Sequence, residues 1–415
     1  MKKLKQPYKN LDGIENNFTS LYGEITLEQK NRYNTAFDKF KNLFNVDSAY
    51  IASSSGRVEV LGNHTDHNGG KVLSCAINLD TLAMFLPTED NIITIFSDGY
   101  PKITVDLNGD ECEEKGTSSA LVRGVAKGFL NKGFIIGGFN AVLTSNVING
   151  AGISSSASFE VLIAEIFNFL YNENKVSMED KAVISQFAEN VYFGKPCGLL
   201  DQTAISFGGL NKLDFKDKGK IKVTTIDNQL KDYSLVLINT GGSHENLTDE
   251  YASIPNEMFN VAKALNGERL IDVDSKLFFE NSNKLPSNIS DRAILRAYHF
   301  YEENQRVDDA CDCLDNNDYN GFLSCVKDSG ISSLCKLQNC FVAGSSCQVI
   351  PKYLSIAGKY LNGGVNRVHG GGFAGTILNI VKNDNLEYFL EKVSNHFGSE
   401  NVIPLKVRSC GAKVL

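Results

Sequence analysis

The 415-residue sequence contains no run of about 18 apolar residues, so it offers no transmembrane helix, which needs roughly that length to cross a bilayer. No secretory leader is expected either. Met1-Lys2-Lys3-Leu4-Lys5-Gln6-Pro7 is basic, but no apolar run follows it. Excess positive charge is absent: 41 Lys and Arg face 49 Asp and Glu, a net charge of -8. That balance excludes an electrostatic reason to bind nucleic acid or an anionic membrane surface. An anionic ligand would therefore need a local positive site. The ten cysteines show no paired spacing, and Cys311-Asp312-Cys313 has no partner pair. A disulfide scaffold and a cysteine zinc site are disfavoured, and free thiols point to a reducing cytoplasm. Internal repeats and low-complexity linkers are also missing.

The length suits two domains. The hydrophobic fraction of 42% and charged fraction of 22% are those of a core-forming globular chain. Strand patterns occur at Val58 and Val60, Val72 to Ile77, Asn91 to Phe96, Ile103 to Val105 and Phe139 to Thr144. Asp98-Gly99-Tyr100-Pro101 reads as the turn of a strand pair. Apolar residues at helical spacing predict a helix from Ser158 to Leu170. Further on, Tyr233 to Ile238 and Gly375 to Ile380 read as strands, Asp291 to Leu314 and Gly321 to Val326 as helices. This mixed α+β order lacks the regular alternation of a doubly wound fold. It predicts an N-terminal domain over 1–211 and a C-terminal domain over 212–415.

Two polar loops stand out. Gly150-Ala151-Gly152-Ile153-Ser154-Ser155-Ser156-Ala157-Ser158 lies between a strand and a helix. Its glycines let backbone N–H groups approach an anion, and the helix behind adds unpaired N–H groups and a positive dipole end. That suits ATP phosphates, with a serine hydroxyl available for Mg²⁺. The sequence is neither a Walker A loop nor a dinucleotide fingerprint. A serine cap after a flexible turn is the plainer alternative. The second loop, Gly62-Asn63-His64-Thr65-Asp66-His67-Asn68-Gly69-Gly70, follows Arg57 on its strand. Arg57, Asn63, His64 and Asp66 can pair with hydroxyls, as a polyol site requires. Zinc on His64 and His67, or a bare polar turn, are the alternatives.

Together with Gly56 to Leu61, that second loop resembles the galactokinase signature GRVNLIGEHTDYNGG. The first resembles the second motif of the GHMP kinase superfamily, GGGLSSSAS, and Gly370-Gly371-Gly372-Phe373-Ala374-Gly375 resembles the third, GAGFGG. Pro196-Cys197-Gly198-Leu199-Leu200-Asp201-Gln202 is similar to PCGIMDQ. Arg296-Ala297-Tyr298-His299 with Glu303 to Val307 is similar to the family's RAxH…ENxRV helix. The matches run in family order from about residue 50 to 380.

The resemblance implies a two-domain GHMP kinase fold with its active site in the interdomain cleft, and ATP-dependent phosphorylation of a sugar hydroxyl. It implies Asp201 as the catalytic carboxylate at the sugar C1 hydroxyl and Arg57 as its cationic neighbour. Phosphate contacts fall to Gly150, Gly152, Ser154, Ser155, Ser156 and Ala157. Mg²⁺ falls to Glu189 with Ser155 or Ser156, with a solvated helix residue as the plainer alternative for Glu189. Sugar contacts fall to Asn63, His64, Asp66, Gly198 and Tyr251, the last with ordinary core packing as the alternative. A cytoplasmic monomer acting on a small sugar and ATP, without nucleic-acid or membrane partners, is expected.

The sequence departs from the family in places. Asn63 replaces glutamate, Glu59 asparagine and His67 tyrosine. Leu337 to Cys347 replaces a DYEVSCPELD region, and the aromatics that flank adenine are absent near Thr117 to Gly124. These changes favour, as the alternative, a kinase of the same superfamily for another sugar or derivative. A non-catalytic sugar sensor should have lost Asp201, Arg57 or the serine loop, and all three are present.

Overall fold

A computed structural model describes residues 4–109, 114–227, 230–242 and 247–415. Met1 to Lys3 of the basic start, and Cys112, lie outside the described residues. The alternation at Val58 and Val60 belongs to a strand, Tyr50–Leu61, that is buried along its whole length. It pairs antiparallel with Lys71–Pro87. Among the described residues this hairpin centres an eight-stranded sheet. Lys413–Val414 flanks the first strand. Phe139–Ser145, Ile92–Ser97 and Ile103–Asp106 follow on the other side. Leu210–Asp214 and Lys222–Thr225 extend from the second strand. The second sheet has four strands in the order Val402–Leu405, Tyr233–Asn239, Thr376–Lys382, Val365–His369, all antiparallel.

The helix after the glycine-serine loop spans Ser155–Tyr171 and is buried on nearly every face. A helix apolar all round can only be a central one. Its Leu162, Ile166 and Phe167 pack with Phe85, Phe129 and Phe139 of the first sheet and its covering helix. The helix over Asp291–Asp315 is capped by Ser290, whose side chain accepts from the Ala293 N–H at 3.1 Å. It buries Ala297, Phe300, Val307, Ala310 and Leu314 at helical spacing. The predicted second helix there is longer, Tyr319–Ser332.

One apolar core joins Val58, Val60 and Leu73 of the first sheet to Leu235, Leu237, Leu378 and Ile380 of the second, with Val307 and Leu314 between. The two sheets therefore share a continuous interior. The expected division at 211/212 falls inside the strand Leu210–Asp214, and the last strand of the chain returns to the first sheet. Among the described residues no helix is long and apolar enough to cross a membrane. The nine described cysteines are free thiols.

Candidate active site

The register of the central hairpin jumps between Ser55 and Arg57, and again between Glu59 and Leu61. Such irregularities re-aim side chains near functional sites. At the first jump the Arg57 N–H donates to the Ile153 carbonyl at 3.2 Å. A Cβ on Gly56 would lie 2.7 Å from that same oxygen, so only glycine allows the loop to seat there. Arg57 Nη1 then donates to the Gly152 carbonyl. Its Nε donates to Asp201 Oδ1 at 2.7 Å. Ser154, held in the left-handed region at φ 64°, donates its hydroxyl to Asp201 Oδ2. Burial alone would raise the Asp201 pKa, but the Arg57 charge and the bonds from Ser154 and Arg57 outweigh it. Asp201 is thus a carboxylate with both oxygens engaged.

Ser155 opens the central helix, so the first-turn N–H groups lack intrahelical partners and face the loop. The Ser155 hydroxyl donates to Asn149, whereas Ser156 Oγ donates to Glu189 Oε1 at 2.9 Å. Glu189 is only 2% exposed. It sits in a wide turn, Ala188–Phe193, built on i→i+5 bonds, a feature common at functional sites. Gln202 Nε2 donates to its Oε2 at 2.8 Å, and the Cys197 thiol donates to the same oxygen at 3.2 Å. Lys195 Nζ lies 3.0 Å from its Oε1. Behind it, fully buried Glu160 accepts from the same Gln202 amide at 3.2 Å. Burial, then the Glu189 charge, holds the Glu160 carboxyl well above its usual range, so it keeps its proton. The Ser156 hydroxyl and the Glu189 carboxylate are hard oxygen donors and fit Mg²⁺. Among the described residues no group of three or more His, Cys, Asp or Glu gathers as an all-protein metal cage. Mg²⁺ needs none, because it usually keeps waters and ligand phosphates in its shell.

The second polar loop faces the turn before Asp201. A Cβ on Gly198 would lie 1.9 Å from Asp66 Oδ2, so the two residues touch only because position 198 is glycine. His64 takes φ 59° and donates from Nε2 to the Gly371 carbonyl at 3.0 Å. Burial pushes its pKa down to about 4, so the ring is neutral near pH 7. The Tyr251 hydroxyl donates to the Gly372 carbonyl at 2.9 Å, and its ring meets Phe373 edge-on. The third glycine segment is therefore the platform for both.

Asn63, expected beside the sugar, is wholly buried behind the loop. Its amide donates to Glu59 Oε1 at 2.9 Å and to the Gly370 carbonyl at 2.7 Å. Its oxygen accepts from Asn339 Nδ2 at 2.7 Å. Burial pushes Glu59 up to about 7, against the pull of Arg367 and Arg57. The Glu59 N–H donates to His369 Nε2 at 3.2 Å. That nitrogen must accept, so Nδ1 carries the proton and donates to Thr376 Oγ1 at 3.0 Å. Thr376 in turn donates to the Ala151 carbonyl at 3.3 Å and pins the phosphate loop to the second sheet.

Residues 38–87 match the galactokinase galactose-binding signature, and residues 120–209 match the GHMP kinases N terminal domain. The galactokinase of Clostridium beijerinckii is 32% identical over 366 residues, which cover 87% of this chain and 92% of that protein. That of Clostridium tetani is 30% identical over 394 residues, covering 94% and 92%. The chain belongs to the galactokinase family. It is a sugar kinase, a phosphotransferase with an alcohol acceptor, and its family uses ATP. The fold is shared with Lactococcus lactis galactokinase complexed with galactose, with a TM-score of 0.78 at 23% identity over 91% of this chain and 98% of that one. Methanococcus jannaschii mevalonate kinase follows, with a TM-score of 0.62 at 16% identity over 87% and 98%. This α+β arrangement is the GHMP kinase fold.

Some contacts of this galactokinase-family site were not legible in its motifs. Gln202 closes the matched PCGLLDQ segment and carried that much signal. Asn339 sits in a segment that departs from the family, and Lys195 carried no signal beyond preceding Pro196.

Proposed function

We propose that this galactokinase-family enzyme transfers the γ-phosphoryl group of ATP to the C1 hydroxyl of D-galactose, giving ADP and α-D-galactose 1-phosphate. The observation that carries the reading is the Arg57–Asp201–Ser154 constellation at the mouth of the serine loop. Asp201 orients the hydroxyl and takes its proton as the oxygen bonds to phosphorus; the proton then leaves to solvent. A carboxylate with a lowered pKa is a weak base, so positioning is its larger contribution. Phosphoryl transfer rests mainly on positioning and charge stabilisation, which makes a weak base sufficient. Arg57 keeps Asp201 ionised and adds positive charge beside the transferring group.

In this reading Gly150, Gly152, Ser154, Ser155, Ser156 and Ala157 cradle the phosphates through backbone N–H groups and hydroxyls. Ser156 and Glu189 hold Mg²⁺, with Ser155 beside them; when bound, the ion neutralises phosphate charge. His64, Asp66, Gly198 and Tyr251 meet the sugar, and Asn63 supports them from behind. The Lactococcus lactis relative bound to galactose supports the substrate. Free cysteines support a cytoplasmic setting. A second reading, a related sugar as best substrate, is favoured by the inward-turned Asn63 amide and its bond to Asn339. A coupled ADP-release assay over a monosaccharide panel decides between them. Galactose should have the highest kcat/KM; no turnover of galactose with ready use of another sugar would refute the first reading.

A further inference from the structure

A protein with net charge -8 needs local positive charge to hold a triphosphate, and the serine loop contains no cation. The Arg57 guanidinium is already engaged by Asp201 and Gly152. A second cation beside the helix N-terminus comes from outside the loop. Lys195 follows Gly194, which closes the wide turn at φ 85°. Its Nζ lies 3.0 Å from Glu189 Oε1, the same oxygen that Ser156 Oγ meets at 2.9 Å. The ammonium and the serine hydroxyl therefore converge on one carboxylate oxygen beside the phosphate loop. The burial of the two partners is unequal: the Lys195 side chain is 60% exposed and that of Glu189 only 2%. A buried carboxylate facing a mostly exposed lysine side chain has a partner that can leave.

We infer that Lys195 is a ligand of the nucleotide phosphates, parked on Glu189 when the site is empty. The inference rests on the kinase reading above. A divalent cation between Ser156 and Glu189 would repel an ammonium a few ångströms away, since like charges that close are strongly unfavourable. The freed side chain has four methylenes of reach. The phosphates must meet both the helix N-terminus and the cation, so they arrive where the ammonium is released. Lys195 thus trades one anion for another and supplies the positive charge that the serine loop lacks. The Lys115 stem packs at the same turn, its Cδ 3.1 Å from where a Gly194 Cβ would stand.

The alternative is that Lys195 only neutralises Glu189. Full-length K195M and K195R separate the two. Calorimetry of ADP and pyrophosphate binding at saturating Mg²⁺, without sugar, reads the phosphate contact without turnover. K195M should weaken both by roughly tenfold to a hundredfold, the usual scale for a charge-assisted contact. Its kcat/KM for ATP should fall similarly, with the sugar KM within about twofold and K195R restoring most of the loss. Wild-type ADP and pyrophosphate affinity in K195M, with an unchanged ATP KM and a lower Mg²⁺ requirement, would overturn the inference while leaving the kinase reading intact. Conversely, a wild type that binds ADP through Lys195 but phosphorylates no sugar would sink only the kinase reading. A wild type that binds neither ADP nor pyrophosphate would overturn both.

Discussion

Replacing Asn63 with glutamate restores the family residue at that position, yet the structure predicts that it damages the protein. The Asn63 side chain is fully buried and makes three close hydrogen bonds, two donated and one accepted. A glutamate there offers oxygens to Glu59 Oε1 and to the Gly370 carbonyl, both acceptors, and adds a methylene to a filled space. It also places a second carboxylate against Glu59, whose ion-pair partner among the described residues is Arg367 at 3.6 Å. An uncompensated buried charge costs about 3–5 kcal/mol. With an unfolding entropy near 2.1 cal/mol/K per residue, the 415-residue chain loses about 3–6 °C in Tm if it melts as one unit. Moving the carboxylate should repair this. In Glu59→Asn with Asn63→Glu, the new amide at 59 donates to the new carboxylate at 63, which still accepts from Asn339. Differential scanning calorimetry of both single variants and the double variant measures the coupling, expected above about 2 kcal/mol. An N63E protein melting within about 1 °C of wild type, or a double variant no better than the sum of the singles, would refute this account of the buried pair.

Three further outcomes are expected. Asp201→Asn should lower kcat by roughly a hundredfold to ten-thousandfold, with ADP affinity within a few-fold of wild type, read by the coupled assay and calorimetry. Ser156→Ala should raise the Mg²⁺ concentration for half-maximal rate by roughly tenfold, while Ser155→Ala, facing Asn149, should change it by less than about twofold. Glu59 should make stability pH-dependent. Its folded-state value of about 7 stands above the ordinary 4.5, so the folded state holds the extra proton between them. This stabilisation is complete below about pH 4.5 and is lost as pH rises through about 7. The Tm of wild type minus that of Glu59→Gln, followed across that range, should fall with rising pH, because the amide mimics the protonated acid and does not titrate; a constant difference would remove Glu59 as its source.

Local sequence determined much of this protein. The strand starting before Arg57, the glycine-serine turn into an apolar helix, and the helix from Asp291 all follow from periodicity and capping, which act over a few residues. The order of the family motifs carried the kinase chemistry as well. Boundaries shifted where caps decided them: the central helix starts at Ser155 instead of Ser158, because Ser154 turns left-handed and its carbonyl takes the first helical bond. Tertiary structure decided the rest. Arg57 meets Asp201 across 144 residues of sequence, and Asn63 meets Asn339 across 276. No local pattern encodes which way a loop side chain turns, so the bonds of Asn63 to Glu59, Gly370 and Asn339 could not be read from the loop sequence. The pairing of Lys195 with Glu189 and the return of Lys413–Val414 to the first sheet were equally unreadable. Charge partners and sheet edges are fixed by which surfaces the whole chain brings together, and that is settled only when distant segments compete for the same buried space.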